Sequence, residues 1–279
     1  MECKEVMDHS RFKLNVLAEW MLLFFTVVGC SNTSGPENGN MQLVWQDEFD
    51  GPAGKSPDSS QWNFDIGTDW GNAQLEFDTD RPENASLDGQ GHLVITARQE
   101  SYMGQNHTSA RMTSRGLFEP TFGRFEARMR LPTGQGLWPA FWLIGANVNT
   151  VGWPAAGEID IMEYRGQEPS RIHGTVHGPG YSASNGITRK FDADRDRFDT
   201  GFHVFAVDWN TDSIKWTVDG KLYHMVTTKD VPGPWVFDHS FYIIMNVAVG
   251  GTFVGPPGPN TSFPQTMLVD WVRVYQKKP

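Results

Sequence analysis

Cysteine is nearly missing from this 279-residue chain: Cys3 and Cys30 are the only two, and both precede the segment that begins to look folded. No disulfide framework can hold the body together, so stability has to come from a buried core. Helical periodicity is missing as well. No stretch repeats apolar residues every 3.6 positions over three turns, which argues against a helical domain. Basic charge is also short, with 23 Lys plus Arg against 33 Asp plus Glu and a net charge of −10. Such a surface repels polyanions, and nucleic acid is not an expected partner. The chain is instead rich in tryptophan and glycine, with 11 and 29 residues. Indole faces serve either core packing or stacking on a flat ligand, and sugar rings are one such ligand.

The single long apolar run, residues 20–28, is too short to span a bilayer but suits the central region of a signal peptide. It follows Lys4, Arg11 and Lys13 and leads into Val27-Val28-Gly29-Cys30, which resembles a bacterial lipobox with Cys30 as the lipidated residue. An ordinary secretory signal that happens to contain a cysteine is the alternative. Both readings export the protein, as a cell-envelope lipoprotein or a secreted one, and a membrane enters only through the lipid. Residues 1–30 are therefore expected to be a signal peptide and 31–41, small and polar, a flexible tether. A catalytic domain is expected over 42–279, with no internal repeat and no second domain.

From residue 42 onward short β-type runs alternate with Gly, Pro, Asn and Asp clusters. Strands are expected over 92–97, 123–130, 141–144, 158–163, 171–177, 203–210, 213–218, 242–249 and 268–275. Within 123–130, Phe125, Ala127 and Met129 share one face, and Arg124, Glu126, Arg128 and Arg130 the other. Ile214, Trp216 and Val218 share a face in the same way, and Asp219-Gly220 then signals a tight hairpin. Many short strands at regular spacing imply an all-β sandwich or jelly roll.

The chemistry concentrates in Glu158-Ile159-Asp160-Ile161-Met162-Glu163. On a strand Glu158 and Asp160 are co-facial, whereas Glu163 points away unless a bulge intervenes. Met162 is the expected extra residue. Three acids on one face disfavour each other's ionisation, an arrangement tolerated mainly where shifted pKa values are useful. A solvated acidic face and a divalent-metal site are the alternatives. Trp138, Trp142 and Trp153 just before the acids favour catalysis on a ligand that stacks. Trp138 and Trp142, four apart, share a face of an extended segment. His173 and His177 form an H-x₃-H pair, but on a strand they lie ~13 Å apart, too far to share one ion.

The segment Trp153-Pro154-Ala155-Ala156-Gly157-Glu158-Ile159-Asp160-Ile161-Met162-Glu163 resembles the active-site signature of family 16 glycoside hydrolases, in the laminarinase-like (endo-β-1,3-glucanase) branch with an extra residue before the last Glu. Ordered blocks extend the likeness over nearly all of 42–277, among them Trp45-Gln46-Asp47-Glu48-Phe49, Arg81-Pro82-Glu83-Asn84-Ala85 and Val269-Asp270-Trp271-Val272-Arg273. The resemblance implies a concanavalin-like β-jelly roll with a concave substrate cleft, and a retaining enzyme that cuts internal bonds of β-glucans such as laminarin. It implies Glu158 as nucleophile, Glu163 as general acid and base, and Asp160 between them. Trp138, Trp142, Trp153, His177, Asn84, Asn246 and Arg124 would contact the sugar chain. Glu48, Gly91 and Asp270 match positions that hold a structural Ca²⁺ in many relatives, through the Asp270 side chain and backbone carbonyls. No cofactor is expected for catalysis, and a monomer acting on a polysaccharide is expected.

Two other readings stay open: a same-fold enzyme on another β-glycan of agar or carrageenan type, and a β-glucan-binding protein without turnover. The three acids argue against the second. The loops around 70–80, 104–114 and 254–264 should set specificity.

Overall fold

The computed structural model describes residues 40–194 and 196–278, which fall in one compact unit. The expected signal peptide, Cys30 and residues 31–39 of the expected tether lie outside the described residues. Met41 does not belong to a tether, because it already pairs with Lys277 in the first strand.

In chain order the strands are β1 (Met41–Asp47), β2 (Asn63–Phe64), β3 (Glu76–Asp78), β4 (Ala85–Leu87), β5 (Leu93–Tyr102), β6 (Gln105–Ser109), β7 (Arg111–Thr113), β8 (Gly123–Arg130) and β9 (Leu137–Gly145). A short helix α1 (Val148–Val151) follows, then β10 (Glu158–Tyr164), β11 (Arg171–His177), β12 (Ile187–Asp192), β13 (His203–Trp209), β14 (Ser213–Val218), β15 (Lys221–Thr227), β16 (Phe241–Val249) and β17 (Gln265–Lys277). One sheet runs β15-β14-β13-β8-β17-β5-β6-β3, with β1 on β17 and β4 on β5. The second runs β12-β11-β10-β9-β16-β7-β2. The all-β sandwich expected from the sequence is the observed architecture.

Alternation builds the core between the sheets. Phe125, Ala127 and Met129 of β8 are fully buried, as are Ile214 and Trp216 of β14. They meet Ile159 and Met162 of β10 and Ile243, Met245 and Val247 of β16 in one cluster. The β14–β15 turn has left-handed backbone at both central residues, Asp219 at φ 49° and Gly220 at φ 77°, as a two-residue hairpin requires. Burying an apolar residue of this size contributes roughly 1.5–3 kcal/mol, so the two-sheet core is the main source of stability in a body without cysteine.

The outer face of the second sheet carries the site. On β9 the residues that leave the core are Trp138, Ala140, Trp142 and Ile144, and all four line one cleft. Their neighbours on β16 are Ala248, Asn246, Ile244 and Tyr242 in register. Every residue of β16 is buried, because this central strand is covered by the core on one side and by the cleft wall on the other.

Candidate active site

Strand β10 is paired on both sides, with β9 and with β11. Glu158 faces Ile144 and His177, Asp160 faces Trp142 and Thr175, and Glu163 faces Ala140 and His173. Between Asp160 and Glu163 the register slips, so that Ile161 and Met162 together oppose the single residue Gly174. This bulge turns Glu163 back onto the face of Glu158 and Asp160, and all three line the cleft. The extra residue differs from the expected one: Met162 keeps its pairing with Phe141, and Ile161 is the residue skipped on the β9 side. Both side chains are buried, since the core takes up the bulged residues.

The bulge is supported from behind. The Trp216 indole N–H donates 2.8 Å to the Asp160 carbonyl, inside the core. Gly174 leaves room for this, because a Cβ there would stand 2.4 Å from the Tyr223 hydroxyl and 2.7 Å from the Trp216 ring.

Each glutamate receives one indole N–H. Trp138 Nε1 donates to Glu163 Oε1 at 3.1 Å, and Trp153 Nε1 donates to Glu158 Oε2 at 3.0 Å. His177 Nε2 stands 3.1 Å from Asp160 Oδ2 and 3.7 Å from Glu158 Oε1. Trp142 donates 2.9 Å to the Asn246 side-chain oxygen, which fixes the ring on the cleft floor. The cleft holds about 300 Å³ and is walled by indoles, as a site for flat sugar rings should be.

Burial dominates the protonation of the three acids. It pushes Glu158 up to about 8, with Asp160 adding repulsion and His177 and the Trp153 N–H opposing. Burial also raises Asp160, to about 7, against a hydrogen bond shared with Glu158. Glu163 is raised well above the usual carboxylate range, by burial first and then by repulsion from Asp160 and Glu158. The neighbouring acids thus favour shared protons, and Glu158 is better supplied with groups that stabilise its anion, the Trp153 N–H and His177. One protonated and one ionisable carboxyl on a common face can donate a proton to a leaving oxygen and attack the carbon it leaves.

Two expected contact residues, Asn84 and Arg124, stand elsewhere. Asn84 is fully buried away from the cleft: its Oδ1 accepts from Thr79 (2.7 Å) and Arg81 (2.9 Å), and its Nδ2 donates to Thr96 O and Thr108 Oγ1, both at 3.0 Å. Its hydrogen-bonding groups are spent on the β4–β6 region, so it cannot contact a sugar. Arg124 lies on the other sheet, paired with Glu126 at 2.8 Å and Asp208 at 2.9 Å. His173 is buried, pushed down to about 4 by burial, and packs edge-on against Phe253.

Glu48 is held bidentately by Arg273 at 2.7 and 2.8 Å, so its carboxylate is unavailable to a cation. Asp270 pairs through Oδ2 with Arg128, while its Oδ1 stands 3.8 Å from His92 Nε2. Gly91 is in the left-handed region at φ 86° beside Asp50. What remains for a hard cation is Asp270 Oδ1 together with main-chain carbonyls, a donor set that suits Ca²⁺ in kind.

The cleft also includes residues not singled out individually in the sequence: Trp70, Asn72, Gln74 and Arg111. Trp70, Asn72 and Gln74 come from the loop around 70–80, and Arg111 opens β7. Arg111 lies between two indoles, 4.9 Å from the Trp70 ring and 4.8 Å from the Trp142 ring, and pairs with Asp65 at 3.1 Å. A Trp followed within 50 residues by an Arg on a short polar strand is too common a pattern to have marked them.

Comparison with known proteins agrees with this geometry. The family model described as "Glycosyl hydrolases family 16" matches residues 67–273. A β-glucanase of Rhodothermus marinus is 40% identical, over 99% of this chain and 97% of its own length. The X-ray structure of an endo-β-1,3-glucanase from Pyrococcus furiosus superposes with a TM-score of 0.81 at 45% identity, covering 85% of this chain and 95% of the other. The laminarinase catalytic domain of Thermotoga maritima gives the same TM-score at 43% identity, covering 86% and 100%.

Proposed function

The chain belongs to glycosyl hydrolases family 16, and from that premise we propose a retaining endo-glucanase acting on internal β-1,3 bonds of glucans such as laminarin. The observation that carries this reading is the bulge on β10, which sets two glutamates with different neighbours on one face of an indole-walled cleft.

In this reading Glu163, kept protonated by burial and by Asp160, donates its proton to the leaving glycosidic oxygen. Glu158, whose anion is served by the Trp153 N–H and by His177, attacks the anomeric carbon and forms a glycosyl ester. Glu163, now a carboxylate, takes a proton from the incoming water, and the ester breaks with retention. Asp160 exchanges hydrogen bonding with Glu158 as that charge comes and goes. Trp138, Trp142, Trp153 and Asn246 hold the sugar rings against the acids. These residues need no cofactor.

Residues 31–279 incubated with laminarin, barley β-glucan, agarose and xyloglucan test the substrate. Oligosaccharides from laminarin are expected, with mixed-linkage glucan as a secondary substrate. Release from agarose alone would overturn the assignment, and no release from any of the four by folded protein would favour the binding reading. Export, with Cys30 lipidated, belongs to the same proposal and rests on residues 1–30; C30S should abolish radiolabelled palmitate incorporation. A structural Ca²⁺ at Asp270 Oδ1 and the carbonyls of Glu48 and Gly91 is a further part, tested by comparing Tm in EDTA and in Ca²⁺.

A further inference from the structure

Two of the same acids, with His177, also present a donor set for a metal ion that glycoside hydrolysis does not need. We propose that Glu158, Asp160 and His177 form a binding site for a borderline transition-metal ion, Zn²⁺ or Cu²⁺, in the substrate-free cleft. One oxygen of each carboxylate and a ring nitrogen of His177 all lie within 4.8 Å of one another. Around a four-coordinate ion with bonds near 2.0–2.1 Å, neighbouring donors stand about 3.3 Å apart. The observed separations from His177 Nε2, 3.1 Å to Asp160 Oδ2 and 3.7 Å to Glu158 Oε1, bracket that value.

A second observation points to a ligand. Asp160 is 3% exposed, and its Oδ2 receives no aligned hydrogen bond although it faces the cleft group. Its near neighbour, His177 Nε2 at 3.1 Å, makes no aligned hydrogen bond to it, and a cation held by both satisfies the buried oxygen. His177 Nδ1 has no hydrogen-bond partner either, so nothing locks the tautomer that would deny Nε2 to a metal. One nitrogen and two oxygens suit Zn²⁺ or Cu²⁺. Mg²⁺ and Ca²⁺ want six or more oxygens, which this wall of indoles does not supply.

A metal held there occupies Glu158 Oε1 and stands where a sugar must enter. Its effect on turnover rests on the reading of Glu158 as nucleophile; its binding does not. The site is thus an inhibitory one, competitive with the glucan and weakened by acid, because protons compete for the same lone pairs.

The test is calorimetric titration of Zn²⁺, Mg²⁺ and Ca²⁺ into the folded protein near pH 7.5, using wild type, H177A, E158Q and H92A. The last variant removes the separate His92–Asp88–Asp270 contact on the other sheet. One Zn²⁺ per chain at the cleft is expected, with affinity falling about tenfold or more in H177A and E158Q and unchanged in H92A. Laminari-oligosaccharide should raise the apparent Kd for Zn²⁺. With Cu²⁺, nitrogen hyperfine structure in the EPR spectrum should disappear in H177A. Zn²⁺ affinity insensitive to H177A and E158Q, or equal to that of Mg²⁺, would overturn the site. Zn²⁺ that binds as described without slowing laminarin hydrolysis would support the site and overturn the role given to Glu158.

Discussion

Two groups of acids border the cleft, one around β2 and β3 and the other on β10, and they differ in what answers them. Asp65, Glu76 and Asp78 lie at the flank of the cleft. Glu76 accepts the Val249 backbone N–H at 2.8 Å, Asp78 accepts the Trp70 indole N–H at 2.8 Å, and Asp65 is paired with Arg111 at 3.1 Å and Arg115 at 2.7 Å. Among the described residues no arginine forms an ion pair with Glu158, Asp160 or Glu163: two indoles and a histidine contact them, and Arg111 acts on Glu158 only as a more distant charge. Burial raises acids in both groups, Glu76 to about 7 and Glu158 to about 8. A shifted pKa therefore does not identify the catalytic pair. Access does: the second group lines the cleft, whereas Glu76 and Asp78 are sealed beneath it and act by holding Trp70 and β16 in place.

The largest break in this contrast should come from E163Q. With no proton to donate, kcat on laminarin should fall by about 10²–10⁴. E76Q, at a more deeply buried acid, should stay near the wild-type rate. Equal losses in the two variants would erase the distinction between the groups.

D160N sharpens the contrast through pH. Removing the Asp160 charge removes repulsion that helps Glu163 keep its proton, so the alkaline limb of kcat/KM should move to lower pH. An alkaline limb that does not move would mean burial alone sets Glu163.

R111K tests the link between the groups. A lysine keeps the charge toward Asp65 but loses the planar stack between Trp70 and Trp142, so KM should rise several-fold with kcat little changed. A fall in kcat alone would place Arg111 in the chemistry instead.

The smallest effect on turnover is expected from E76Q, whose signature lies in stability. Glu76 in the folded chain is raised from 4.5 to about 7, so wild-type stability should fall as pH rises between those values and level off above them. E76Q should flatten that fall, by at most about 3 kcal/mol. Urea unfolding at pH 5 and pH 7.5 measures it.

How much of this was legible beforehand follows from sequence distance. The three acids could be placed on one face because six consecutive residues carry both the alternation and the bulge; only the identity of the skipped residue, Ile161 rather than Met162, needed the pairing partners. Strands with a buried face were readable, and 123–130, 171–177 and 213–218 coincide with β8, β11 and β14. Edge strands such as β12 and β15 were not, because Thr188, Arg189 and Lys190, or Lys221, Leu222 and Met225, stay exposed and break the alternation. Asn84 and Arg124 show the limit of residue-by-residue resemblance. Each has the right chemistry for a sugar hydroxyl, but tertiary partners consume Asn84 in a buried network and Arg124 in ion pairs on the opposite sheet. Arg111 shows the converse, since its role depends on two indoles 41 and 31 residues away.

The central claim, that the bulged strand supplies one glutamate to bond the sugar and another to move the proton, is tested most directly by trapping the glycosyl ester. A 2-deoxy-2-fluoro laminaribioside with an activated leaving group should inactivate the enzyme, and peptide mass spectrometry should locate the ester on Glu158. A label on Glu163 or Asp160 would contradict the account. So would turnover of that substrate with inversion at the anomeric carbon and no trapped ester.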